Sequence, residues 1–235
     1  EKTVVINGGS ANKFVVSART SGGQFDHQGV SLFLVDAAAD GVSVKSYKTM
    51  DGQRAATVTL ANVVVAEDQL LNAVGEGMDL VDQVMPSILM ALSAEALGIM
   101  ATLNRITVDY SKTRQQFGAP IGSFQVLQHR MVDTFMACEQ AKSMLYRSLC
   151  QANECAADAA VDTTEFMKSV HALKVTMAKA GKQIGEEAIQ LHGGIGLTDE
   201  LNIGHFVKRL MTINVTLGDR DFHQKKFNQL SYSAS

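Results

Sequence analysis

The chain has 235 residues, 46% of them hydrophobic and 19% charged, enough apolar material for a sizeable core in one or two domains. A net charge of −3 without any basic run argues against nucleic acid or an anionic membrane surface as a partner. Cys138, Cys150 and Cys155 are odd in number and lack metal-ligand spacing, which predicts reduced thiols, a cytoplasmic location and no metal site. No signal peptide opens the chain, and no unbroken apolar run reaches the roughly 18 residues of a membrane span, so none is predicted.

From Thr3 to about Leu71 the sequence reads as strands. TVVI, KFVVSAR, VSLFLV, VSVKSY and ATVTLANVVV are short and rich in Val, punctuated by Asn7-Gly8-Gly9 and Ser21-Gly22-Gly23. They predict antiparallel strands of a barrel or small sheet. The sequence begins directly in strand character, with no cap before it, which predicts that an N-terminal part of a larger protein is absent.

From Gly75 the period changes to helical. Val81, Val84, Met85, Ile88, Leu92, Ile99, Leu103, Ile106 and Tyr110 recur at helical spacing, predicting a helix of about 35 residues, roughly 50 Å. Pro86 either kinks it or falls in its first turns. A second helix would carry Leu127, Met131, Phe135, Cys138, Leu145 and Leu149 inward and stop near Glu154-Cys155-Ala156. A third begins near Thr164, with Phe166, Val170, Leu173, Met177, Ile184, Ala188 and Leu191 on one side. A fourth begins near Asp199-Glu200, with Ile203, Phe206, Val207 and Leu210 inward. The fold class is therefore α+β: an antiparallel β-domain over residues 1–72, then a four-helix bundle over 73–235.

Between the first two helices lies YSKTRQQFGAPIGSFQ, where Gly118, Pro120 and Gly122 forbid one continuous helix. Lys112 and Arg114 place positive charge in the last turn of the incoming helix, where the macrodipole favours it. Arg114, Phe117 and Gln125 also set a cation, an aromatic ring and an amide around one loop, a combination that suits a nucleotide diphosphate. The third and fourth helices are joined by QLHGGIGLTDE. Gly193 and Gly194 can simply end a helix, or let backbone N–H groups approach a phosphate.

Three stretches in order, TVVINGGSANKFVVSART, RQQFGAPIGSFQ and QLHGGIGLTDE, resemble motifs of the acyl-CoA dehydrogenase family of flavoenzymes. The resemblance implies a fold of N-terminal helical domain, middle β-domain and C-terminal four-helix bundle, of which this chain would hold most of the last two. It implies α,β-desaturation of an acyl-CoA, in which a Glu removes the α proton and the β hydride passes to FAD. It also implies a homo- or hetero-tetramer built as a dimer of dimers. By position, Arg114, Phe117, Ile121, Phe124, Gln125, Gln190, Gly193 and Gly194 would contact the ADP half of an FAD held mainly by the neighbouring subunit. A guanidinium suits a pyrophosphate, because it offers a planar fork of donors and keeps its charge.

The reacting half does not carry over. The family's usual base position is Leu217 here, and the alternative on the first bundle helix is Ile88; neither can accept a proton. The positions beside the flavin ring fall at Val4, Ile6 and Asp219. Glu95 is the weak alternative base. It lies seven residues from Ile88, about 10 Å along a helix, and reads better as half of an ion pair. His192 has no acid beside it in sequence and reads as a solvent- or backbone-bonded loop histidine. Three functions compete: the non-reacting subunit of a heteromer with a Glu-bearing homologue, a self-sufficient dehydrogenase with a displaced base, and a non-enzymatic or monooxygenase-like member of the fold.

Overall fold

A computed structural model describes residues 1–158, 162–198 and 200–232. Its contacts divide into two compact units, Glu1–Met85 and Pro86–Ser235.

The first unit holds five strands, β1 (Lys2–Ile6), β2 (Lys13–Arg19), β3 (Val30–Asp36), β4 (Val42–Lys48) and β5 (Arg54–Leu60). They form two antiparallel sheets, one ordered β1-β5-β4 and one pairing β2 with β3. Alternation decides which side chains go in. Phe14 and Val16 of β2 are buried while Val15 between them is exposed, and Phe14, Val16, Val35 and Val58 form the core, flanked by Val5, Phe33, Val42, Val44 and Leu60. The run expected to continue to Val65 ends at Leu60, since Asn62 turns the chain at φ 54°. Arg19 organises the segment after β2: its guanidinium donates to the carbonyls of Ser21, Asp26 and Gln28. β1 bulges between Lys2 and Val5, and Val4 there sits at φ 52° with its N–H on the Tyr47 hydroxyl at 3.1 Å.

Five helices follow: α1 (Gly77–Thr113), α2 (Gln125–Ala157), α3 (Thr164–His192), α4 (Ile203–Val215) and α5 (Arg220–Tyr232). α1 has 37 residues, about 55 Å, and contains Pro86 within it. Within the second unit α3 is central, packing against α2, α4 and α5. Its inward face is the one the spacing predicts, with Val170, Leu173, Met177, Ile184, Ala188 and Leu191 all buried. Two other faces differ from expectation. α1 buries Leu89, Met90, Ala96, Met100 and Leu103, while Val84 and Ile88 are exposed. α2 buries Thr134, Cys138, Ala141, Leu145 and Ser148, whereas Phe135 and Leu149 face outward. Small and hydroxyl-bearing residues let α2 approach its neighbours closely, and their hydroxyls are spent on the helix's own carbonyls, as Ser148 does on Met144.

The fourth helical segment is broken. α4 and α5 have 13 residues each and are separated at Thr216–Asp219. Leu217 (φ 57°) and Gly218 (φ 106°) reverse the chain, and the Asp219 carboxylate caps α5 by accepting the Phe222 N–H at 2.9 Å. The expected start of this segment at Asp199 lies outside the described residues. By length and composition α1 is apolar enough to cross a membrane, with mean hydropathy 1.7 over its most apolar stretch, which corrects the expectation that no segment passes that test. A third of that stretch is buried, including Leu89, Met90, Ser93, Ala96 and Met100.

Candidate functional site

The joint between α1 and α2 is a miniature hairpin. Gln115–Gln116 pairs antiparallel with Ala119–Pro120 across Phe117 (φ 56°) and Gly118 (φ 78°). Two successive left-handed residues give the backbone twist of a two-residue hairpin turn. Glycine takes that conformation freely, but a bulky aromatic residue does so at a cost. Phe117 nevertheless stands 93% exposed at the tip, touching the Phe124 ring edge-on at 6.1 Å. Arg114 is fixed by its own backbone: its N–H goes to the Tyr110 carbonyl, and its carbonyl receives the Ile121 N–H at 2.8 Å.

At the end of α3, Gly193 (φ 65°) caps the helix through its N–H on the carbonyls of Ile189 and Gln190. A side chain at Gly194 would meet nothing within 4 Å, and no positive φ requires glycine there. Its bare backbone is therefore not demanded by this chain's own packing. It leaves the surface open to close approach.

These two ends face one groove of about 420 Å³, lined by Tyr110, Arg114, Gln116, Ile121, Gln190, Leu191, His192, Gly193, Gly194 and Ile195. Arg114, Ile121, Gln190, Gly193 and Gly194 of the sequence-proposed set are thus brought together. Phe117, Phe124 and Gln125 sit on the joint outside the lining. Among the described residues no carboxylate lines the groove, and its polar groups are one guanidinium, two amides, a hydroxyl, an imidazole and backbone. That donor set fits an anionic, nucleotide-like ligand such as the ADP half of FAD. Tyr110, Gln116, Leu191, His192 and Ile195 complete it. All five lie within the two quoted stretches, but residue type alone did not mark them as contacts.

His192 is buried rather than solvated. Its Nδ1 lies 2.8 Å from the Ala188 carbonyl, so Nδ1 carries the proton, and desolvation pushes its pKa below the ordinary histidine value. Tyr110 stacks on the ring at 4.3 Å between centroids and 26° between planes.

The two positions that the family resemblance assigns to a base, Ile88 and Leu217, have different surroundings. Ile88, on α1, is 43% exposed. Glu95 is engaged by Arg209 of α4, whose Nε and Nη2 reach the two carboxylate oxygens at 2.6 and 2.8 Å. The expected ion pair is there. Leu217 is held from beneath by buried groups. Lys174, 1% exposed, donates to the carbonyls of Ile213 and Thr216, satisfying the last turn of α4 where a cation also favours the helix dipole. His223 Nε2 donates to the Leu217 carbonyl at 3.2 Å, leaving Nδ1 to accept from His171 Nδ1–H at 2.9 Å. Desolvation lowers all three pKa values: His171 to about 4, with the neighbouring His223 and Lys226 adding to the effect; Lys174 to about 8; His223 also through Lys174. Sequence reading missed this cluster, since 39 residues separate Lys174 from Ile213 and 52 separate the histidines. Val4 and Ile6 are 58% and 56% exposed, and Asp219 serves as the cap of α5.

An antiparallel β unit followed by a helical bundle defines an α+β class, and the same arrangement superposes on a putative acyl-CoA dehydrogenase from Mycobacterium smegmatis with a TM-score of 0.90 at 21% identity, over 100% of this chain and 60% of that one. The chain belongs to the acyl-CoA dehydrogenase family: the family's C-terminal domain matches residues 75–226. Among its relatives is the short-chain-specific acyl-CoA dehydrogenase of Megasphaera elsdenii, 27% identical over 210 residues, 88% of this chain and 52% of that protein. The FAD complex of PigA is similar at 25% identity and a TM-score of 0.86, over 97% of this chain and 58% of that one. The chain thus spans between half and three fifths of these proteins' lengths.

Proposed function

We propose that this chain belongs to a flavin-dependent acyl-CoA dehydrogenase in which it lends the groove between Arg114 and Gly193-Gly194 to the ADP half of an FAD held mainly by a neighbouring subunit, while supplying no general base of its own. Bound FAD would provide the hydride acceptor for α,β-desaturation of an acyl-CoA thioester. Arg114 would neutralise the diphosphate, Gln190 and Gln116 would donate amide hydrogen bonds, and the open backbone at Gly194 would admit the nucleotide closely. The observation that carries the reading is the conjunction of this intact groove with aliphatic side chains at both base positions, Leu217 and Ile88. Proton abstraction needs a titratable group within hydrogen-bond reach of the substrate, and neither residue has one.

A displaced base in this chain is disfavoured by the Glu95 pairing, since both carboxylate oxygens are already engaged by the Arg209 guanidinium. A heteromer supplies the missing carboxylate instead, and the ChsE4–ChsE5 complex of Mycobacterium tuberculosis, similar in fold at a TM-score of 0.84 and 23% identity over 98% of this chain and 58% of that one, offers a precedent of two different chains. The full-length protein should be purified alone and with a Glu-bearing homologue. One FAD per pair of chains, turnover only in the pair, and near-intact turnover after Glu95→Gln are expected. A homomer with one FAD per chain that oxidises an acyl-CoA and loses this activity on Glu95→Gln overturns the reading.

A further inference from the structure

Two halves of the groove come from segments 82 residues apart in sequence, and one side chain touches both. Tyr110 lies one turn before Arg114, and its carbonyl holds the Arg114 N–H at 2.9 Å. Its ring stacks on His192, and its hydroxyl donates to the His192 carbonyl at 3.4 Å, immediately before Gly193. The His192 ring is itself locked by its Nδ1–H on Ala188. Each backbone is held within its own segment, Arg114 by Tyr110 and Ile121 and Gly193 by Ile189 and Gln190, while the Arg114 side chain is exposed and nothing lies within 4 Å of where a side chain at Gly193 or Gly194 would start. From this geometry we infer that Tyr110 and His192 are a positioning pair that fixes the Arg114 guanidinium against the Gly193-Gly194 backbone, so that a nucleotide diphosphate meets both at once. The inference rests on the nucleotide reading above and adds residues that act through their neighbours.

The stacked rings and the hydroxyl bond to the His192 carbonyl together tie the two segments at a fixed separation. A free phosphate donor set spread over two mobile ends would lose affinity to the ordering it must impose on binding, whereas a prealigned set does not. The pair therefore contributes through preorganisation, and its effect should depend on Arg114 being present.

The test uses the full-length protein freed of FAD, with ADP as the probe followed by calorimetry, and peptide-level hydrogen exchange over residues 193–198. Tyr110→Leu should weaken ADP binding by about tenfold, the scale of one hydrogen bond with its associated contact. Tyr110→Phe keeps the stack and should recover all but about threefold of it. In an Arg114→Ala background, Tyr110→Leu should cost less than about twofold more, because residues acting as one unit are not additive. Exchange over 193–198 should quicken in Tyr110→Leu without ligand. Should Tyr110→Leu fail to fold, Tyr110→Phe alone decides, through a weakened affinity with unchanged circular dichroism. Wild-type binding of ADP with unchanged affinity in Tyr110→Phe and Tyr110→Leu, or with fully additive losses in the double variant, overturns the positioning role while leaving the nucleotide reading standing. Assembled wild-type protein, with its Glu-bearing partner, that binds neither ADP nor FAD refutes that reading and the positioning role together.

Discussion

Lys174 gives the most direct measure of what holds the α4–α5 break in shape. Burial keeps its pKa at about 8, against 10.5 for a free lysine. Below pH 8 the ammonium is present in both folded and unfolded chains, and the folded state bears the whole cost of burying it. Between 8 and 10.5 the unfolded chain still holds a proton that the folded chain has released, so unfolding free energy rises with pH across that window. At about 1.4 kcal/mol per pH unit, the rise amounts to about 3 kcal/mol. The neutral amine still has two protons, enough for both carbonyls it serves, Ile213 and Thr216. Lys174→Met keeps the stem's volume and removes the titration. Urea unfolding of both proteins, followed by circular dichroism at steps between pH 7 and 10.5, isolates the residue because tyrosines and surface lysines cancel in the difference. The wild type should gain about 3 kcal/mol on the variant over that range. Parallel curves would show that Lys174 is not the buried cation its contacts describe.

Arg114→Ala should weaken FAD retention in the assembled protein roughly ten- to a hundredfold, the loss of one charge-assisted contact of about 1.5–3 kcal/mol, with helix content unchanged in circular dichroism. Leu217→Glu puts a carboxylate at the position proposed above for the family's base, yet it should create no acyl-CoA oxidation in the chain alone, because Val4, Ile6 and Asp219 remain at the positions proposed beside the flavin; turnover above background with a dye acceptor would contradict this. Asp219→Ala should cost about 1 kcal/mol in denaturant unfolding through loss of the α5 cap, and a variant as stable as the wild type would mean the Phe222 N–H is satisfied otherwise.

What the sequence discloses here follows from where polarity contrasts exist. α3 alternates polar and apolar faces cleanly, so its inward residues from Val170 to Leu191 could be read directly. α1 and α2 carry apolar residues on several sides, and periodicity cannot then choose between Ile88 and Leu89, or between Phe135 and Thr134; the neighbours choose. α2's seam of Thr134, Cys138, Ala141 and Ser148 is invisible to a reading that looks for large side chains. The loops bearing Arg114 and Gly193 were legible as motifs, but their joining through Tyr110 and His192 was not, because a stacking contact leaves no spacing signature. The break at Thr216–Asp219 was written in Gly218 and Asp219. Those residues also fall where the family resemblance places its reaction centre, so the motif carries two readings and only the fold separates them.

The hairpin at Phe117 bears on how this surface can change over evolutionary time. An aromatic ring in water, on a backbone conformation that favours glycine, lowers the stability of the isolated chain by about 1 kcal/mol or more and recovers little of it within that chain. Folding alone would let the position drift toward Gly or Asn. A lineage that keeps Phe117 is therefore under selection for whatever covers the ring. One that has lost its covering partner should show that loss first at this residue, before any change reaches the bundle core.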